Sequence, residues 1–274
     1  MKINHMHWVL SVVFCLLLMN THPAKSNEQG VNVLLEQLSF QMGQRNLFQA
    51  EKTLSKISKV APNNLIYLQE NIRFLAESAR FDEARVSLLK IKTRLSVDEY
   101  NVLLQLLNIY QNNREVLSEA RLLNTRKLYK QALDKYDGLF QSKDPHYSLA
   151  LEYWDIITEV QPELEPTVLY KLEKLSKQYP ANTRIKLAYF KYSLRAGLNK
   201  LAIYQELYLL TFNTVWQFEA KRLWQYGLLN TEVTESNKKG FLDYLERFPN
   251  DSWITYRYQD GLDAIKQHNI LMRD

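Results

Sequence analysis

Residues 31–64, VNVLLEQLSFQMGQRNLFQAEKTLSKISKVAPNN, and residues 65–98, LIYLQENIRFLAESARFDEARVSLLKIKTRLSVD, align end to end without a gap at a period of 34. In the first frame Leu34, Leu38, Ala50, Leu54, Ile57 and Pro62 fall at positions 4, 8, 20, 24, 27 and 32, and in the second Leu68, Ile72, Ala84, Leu88 and Ile91 match them, with Ser96 in the proline slot. Thirty-four residues is the length of a tetratricopeptide unit, a helix pair that cannot bury its own apolar face and stacks on its neighbours instead. Position 20 is where the second helix crosses the first, so alanine fits there and a bulky group does not. Pro62 cannot continue a helix, and Asn63-Asn64 cap the next one.

Further along, Ser96-Val97-Asp98 open a helix to about Tyr110 that has no evident partner. A frame from Asn113 carries Val116, Ala120, Leu123, Ala132, Tyr136 and Leu139 before Asp144-Pro145, and one from Leu149 carries Ile156, Val168, Leu172, Leu175 and Pro180. Pro162 and Pro166 lengthen the turn of that unit, so its first helix should end near Val160. A frame from Thr183 places Phe190, Gly197, Ala202 and Leu209, and Val168 to Ala202 is again a step of 34. The last frame pairs an aromatic helix around Trp216 to Tyr226 with one from about Glu235 to Phe248, closed by Pro249. The expected organisation is therefore repeats at 31–64, 65–98, 113–146, 149–182, 183–216 and 217–250 with a capping helix over 252–268: an all-α, right-handed α-solenoid spanning 27–274. Seven glycines, with no Asn-Gly or Asp-Gly between alternating apolar runs, leave little turn material for sheets.

Residues 1–26 read as a secretory signal peptide. Lys2 precedes an apolar run from Trp8 to Met19, and Ala24-Lys25-Ser26 offers small residues for cleavage after Ser26. The run is too short to cross about 30 Å of hydrocarbon. Cys15 sits inside it without lipidation context. The mature chain is expected in the periplasm, without cysteine and with His146 and His268 as its histidines. Thiolate catalysis and cysteine-ligated zinc are then excluded. The formal balance becomes 33 basic against 30 acidic residues, too mild and too dispersed for a nucleic-acid partner.

The run 115–134, EVLSEARLLNTRKLYKQALD, together with Tyr136-Asp137-Gly138-Leu139-Phe140 and Leu149-Ala150-Leu151-Glu152-Tyr153-Trp154, resembles the amino-terminal half of the bacterial cellulose synthase outer-membrane subunit. Gln178-Tyr179-Pro180-Ala181-Asn182 and Trp224-Gln225-Tyr226-Gly227 are similar to it as well. That resemblance implies a periplasmic repeat scaffold in cellulose or related exopolysaccharide secretion, with synthase and export subunits as protein partners and the glycan as a further candidate ligand. The family's carboxy-terminal barrel has no counterpart among these residues, which leaves two readings: a stand-alone or shortened relative, or a fragment whose exporting half is encoded elsewhere, with the barrel supplied by another chain. A general periplasmic protein-interaction module in envelope assembly is the alternative reading.

Position 9 of the first helices is Arg73, Arg121 and Lys191, a candidate basic stripe on the partner-binding groove. A merely solvated face is the competing reading, and Ile157 interrupts the stripe. Among 17 Tyr and 5 Trp, the groups Tyr147, Tyr153, Trp154 and Tyr189, Tyr192, Tyr204, Tyr208 are candidates for stacking on sugar rings, with Tyr153 the first choice. Core packing explains most such residues equally well. Glu152 with Asp155 and Glu163 with Glu165 are spaced as glycosidase pairs, yet such pairs are ordinary on exposed helices, and no catalytic residue is expected. No glycine-rich phosphate loop or serine-nucleophile motif is present, and no cofactor or metal is expected.

Overall fold

The computed structural model describes residues 22–141 and 143–271, with side chains from 29 to 267. The apolar run of the signal segment, Cys15 and the side chain of His268 lie outside the described residues.

The described residues form fourteen α-helices and two short 3-10 turns, with no strand among them. In chain order they are α1 (His22–Gly43), α2 (Leu47–Val60), α3 (Leu65–Glu77), α4 (Phe81–Ile91), α5 (Val97–Asn112), α6 (Arg114–Thr125), α7 (Tyr129–Phe140), α8 (Tyr147–Val160), α9 (Glu165–Gln178), α10 (Thr183–Arg195), α11 (Lys200–Leu210), α12 (Gln217–Leu229), α13 (Lys238–Arg247) and α14 (Ser252–Leu271). Polar side chains open several of them. Asn46, Asn64 and Asn182 accept from the N–H groups of Gln49, Tyr67 and Ile185 at 3.2, 3.0 and 3.2 Å. Ser96 and Glu99 close a reciprocal capping box at the start of α5.

One backbone turn recurs at the fifteenth position of the frames beginning at 31, 65, 113 and 183. Arg45, Ala79, Lys127 and Gly197 take φ of 56°, 60°, 60° and 73°. In each turn the following N–H reaches back five residues: Asn46 to Gln41, Arg80 to Leu75, Leu128 to Leu123 and Leu198 to Ser193, at 2.9, 2.8, 3.0 and 2.8 Å. This is a left-handed helix terminus of the Schellman type, which reverses the chain into the next helix while satisfying the last carbonyls. Only Gly197 adopts it without steric cost. The other three are held there by the helices on either side.

The chain divides into two compact units, 1–156 and 157–274, with the division inside α8. In the first, α1 packs on α2, α3 on α4 and α6 on α7. Ala50, Ala84, Ala120 and Ala132 are completely buried where helices approach closely. The helix without an evident partner, α5, packs on α3, α4 and α6. In the second unit α9 packs on α10, α11 on α12 and on α13, and α14 on α12 and α13. Phe190, Ile203, Leu207, Trp224, Phe241 and Ile254 lie in its core.

Frame five departs from expectation. Ala202 is exposed and Leu209 is 63% exposed, while Ile203, Tyr204 and Leu207 face the core. Small residues on the neighbouring helices permit the close approach instead. A Cβ on Gly227 of α12 would stand 2.9 Å from the Tyr204 ring, and one on Gly240 of α13 would stand 2.8 Å from it. The Tyr204 ring occupies the space that two absent side chains leave.

Candidate functional site

Of the four residues the sequence singles out, three lie in the first unit and Lys191 lies in the second. Arg73, on α3, is not part of an open groove: it is 3% exposed. Its guanidinium meets Glu77 at 2.8 Å and Glu70 at 3.2 Å, and its Nη1 donates to the Tyr147 hydroxyl at 3.2 Å. That hydroxyl in turn donates to Glu70. Burial alone would lower the Arg73 pKa, but the Glu77 charge, the Tyr147 hydroxyl and the Glu70 charge outweigh it and hold the group well above the usual range.

Arg121, on α6, forms a two-pronged contact with Glu152 of α8 at 2.7 and 3.0 Å, and Glu152 also accepts the Tyr136 hydroxyl of α7 at 3.0 Å. Burial opposes the charge on Arg121, and Glu152 more than compensates, raising its pKa. The Tyr136 hydroxyl is pushed up first by burial and then by the Glu152 charge. Between the two arginines stands Tyr110 of α5, 6% exposed and within electrostatic reach of both. Burial raises its pKa most, with Glu77 adding and the two arginines opposing.

The result is a continuous set of charges and hydroxyls, Glu70–Arg73–Glu77–Tyr147–Tyr110–Arg121–Glu152–Tyr136, that ties α3, α5, α6, α7 and α8 together. Bidentate guanidinium–carboxylate geometry is directional, so the set selects one helix register where apolar contacts would accept several. The basic stripe thus becomes internal structure at Arg73 and a half-buried ion pair with Glu152 at Arg121. Lys191, half-buried on α10, places its ammonium 5.3 Å from the centre of the Tyr192 ring.

Tyr153 is half-buried and donates its hydroxyl to Asp137 at 2.6 Å. Burial, then that bond, raises its pKa. Its ring lies 5.0 Å from Phe140 and 6.0 Å from Tyr136, so it borders the Glu152 cluster. Tyr147, Trp154, Tyr192 and Tyr204 are buried and offer no face to a sugar; Tyr189 and Tyr208 are partly so. Glu152, one of the paired carboxylates, is engaged by Arg121 and Tyr136 rather than open to a substrate. Among the described residues no cluster of His, Cys, Asp and Glu could hold a metal ion.

His146 stands immediately before α8 and caps it. Its carbonyl accepts the N–H groups of Leu149 and Ala150 at 2.9 Å, and its Nδ1 accepts that of Ser148 at 3.3 Å. An accepting Nδ1 requires the neutral ring. Burial first, and the Arg73 charge second, push its pKa down to about 3. The unfolded chain takes up this proton below about pH 6.5 while the folded chain refuses it, so stability present above that pH is lost as the pH falls toward 3. The expected loss is about 1.4 kcal/mol per pH unit, or about 2 kcal/mol between pH 6.5 and 5. His146→Asn keeps a capping acceptor and removes the proton uptake. Urea unfolding at several pH values should show a flatter acid limb for this variant than for the natural chain.

The first unit and the second are thus both stacks of short helices tied by small residues and polar links, the architecture of an α-solenoid of tetratricopeptide-like helix pairs. No protein-family model matches the sequence. The chain is 23% identical over 218 residues to cellulose synthase operon protein C of Salmonella typhimurium, covering 78% of this chain and 18% of that protein. It is 21% identical over 228 residues to the protein of the same name from Escherichia coli (strain K12), covering 78% of this chain and 19% of that one. The chain therefore spans about a fifth of the length of these relatives. A crystal structure of the flexible tandem repeat domain of a bacterial cellulose synthase component superposes with a TM-score of 0.59 at 20% identity, covering 86% of this chain and 98% of that one. The resemblance to the cellulose synthase subunit is borne out, and so is the all-α solenoid fold. No described helix is long and apolar enough to cross a membrane.

Two features escape a reading of the sequence alone. The buried Glu70 and the partly buried Glu77 do carry a signal there, in their i, i+3 and i, i+4 spacing around Arg73. Trp253 and Tyr256, at i and i+3 of the last helix, carry one in the face they share.

Proposed function

We propose that the chain is a non-enzymatic periplasmic scaffold in the synthesis and export of cellulose or a related exopolysaccharide, delivered by the signal segment at 1–26 and binding other subunits of the secretion system. The observation that carries this reading is the similarity to two cellulose synthase operon C proteins across 78% of the chain. A stack of helix pairs suits the task, because it presents a long surface to other proteins without a catalytic cleft. The polar chain from Glu70 to Glu152 contributes rigidity to the first unit rather than chemistry.

Crosslinking in cells that are making cellulose, followed by capture of this chain, should enrich cellulose synthase subunits, and deleting the gene should reduce exported polysaccharide. Unchanged export together with capture of none of those subunits would overturn the reading and leave a general envelope-assembly module in its place.

A further inference from the structure

The described tryptophans fall into two kinds. Trp154, Trp216 and Trp224 are buried, whereas Trp253 is 72% exposed, and Tyr256 beside it is 72% exposed as well. The rotation of α14 explains why. Ile254 is completely buried, Tyr258 stacks on Phe241 at 5.8 Å, Gly261 lies against Val233, and Ile265 packs on the same core. These four stand at i, i+4, i+7 and i+11, one face of a helix turning about 100° per residue. Trp253, Tyr256, Asp260 and Asp263, at i, i+3, i+7 and i+10, then share the opposite face, and all four are exposed.

We infer that this outer face of α14, with Trp253 and Tyr256 as a two-ring platform and Asp260 as hydroxyl acceptor, binds a neutral β-1,4-linked glucan chain. Side chains at i and i+3 stand about 5–6 Å apart at Cβ, so two successive rings of an extended glycan can each rest on an aromatic face. A carboxylate next in line accepts hydrogen bonds from sugar hydroxyls, and such bonds to an ionised acceptor are the stronger kind. Asp263 is partly committed, with Lys266 at 3.3 Å.

The same stripe disfavours other occupants. A membrane surface calls for cations beside apolar groups, and the stripe carries carboxylates. A partner helix calls for aliphatic anchors continuing at i+4 and i+7, where Arg257 and Asp260 stand. An anionic polysaccharide would be repelled by Asp260 and Asp263. The choice of β-1,4-glucan among neutral glycans rests on the cellulose reading above.

Titration calorimetry of the 274-residue chain with cellohexaose tests the inference. Saturable binding is expected, weakened about tenfold or more in the Trp253→Ala/Tyr256→Ala double variant. Asp260→Asn should weaken it less. Tyr170→Ala, which removes a tyrosine 69% exposed on α9, should leave it unchanged. Both platform residues are at the surface, so the double variant should fold normally, which its circular dichroism would verify. Absence of saturable cellohexaose binding by the natural chain overturns the inference. So does an unchanged affinity in the double variant, or binding of hexalysine rather than cellohexaose at this face. Capture of synthase subunits by the double variant separates the two readings: retained capture with lost glucan binding supports both, and lost capture with unchanged glucan affinity overturns the platform alone.

Discussion

Replacing Arg73 by Met should destabilise the first unit by about 3–5 kcal/mol, because it strands two carboxylates inside the protein. Glu70 is buried, and Glu77 lies 2.8 Å from a guanidinium whose side chain is 3% exposed. Met fills much of the volume of the arginine stem, so the cost is electrostatic rather than a cavity. The Tyr147 hydroxyl also loses its donor partner. A triple variant, Arg73→Met with Glu70→Gln and Glu77→Gln, should recover a large part of the loss, since removing a whole buried ionic set is far cheaper than removing one member. Urea unfolding followed by far-ultraviolet circular dichroism measures both. If the single variant falls within about 0.5 kcal/mol of the natural chain, the network is not buried as described.

Trp224→Ala should cost about 3–5 kcal/mol in the second unit. Trp224 is 0% exposed and meets Tyr244 and Tyr208 edge-on at 5.1 and 5.9 Å between ring centres. Truncation leaves a cavity and removes two favourable ring contacts. Trp253→Ala, which deletes the same side chain from the surface, should change stability by no more than about 0.5 kcal/mol. The contrast is measurable in one denaturation series. Equal effects at the two positions would contradict the placement of the core.

How much of this is legible from the chain alone can be followed residue by residue. Ala50 and Ala84 are readable as close-contact positions because the fixed period brings a small residue to the same slot twice, and both are completely buried. Pro162 announces the end of α8, and the helix stops at Val160. Ala202 misleads: the period reaches it, but in α11 the core face belongs to Ile203, Tyr204 and Leu207, and the small residues that accommodate Tyr204 come from α12 and α13. A repeat frame counts residues along one chain and says nothing of what a neighbouring helix contributes.

Position 9 shows the same limit at the candidate site. Periodicity puts Arg73 and Arg121 on one face of their helices and treats that face as open. The helix that belongs to no repeat, α5, packs against both α3 and α6 and brings Tyr110 between the two arginines. A face that would be groove in a regular array is therefore internal at Arg73 and held by Glu152 at the half-buried Arg121. Tyr153 is readable as an aromatic near an acidic helix, but not its bond to Asp137 of α7, which depends on how α7 and α8 meet.

Everything local is written in the chain: the helical period, the capping residues, the prolines that stop helices, and a run of residues characteristic enough to place the protein beside a cellulose synthase subunit. Each depends on neighbours within about one helical turn, where spacing dictates geometry. Which polar positions are paired inside, as at Arg73 and Glu70, and which aromatic positions stay outside, as at Trp253 and Tyr256, depends instead on how the helices pack. Burial is a property of the surface a second element covers, and the covering helix can be any distance away along the chain.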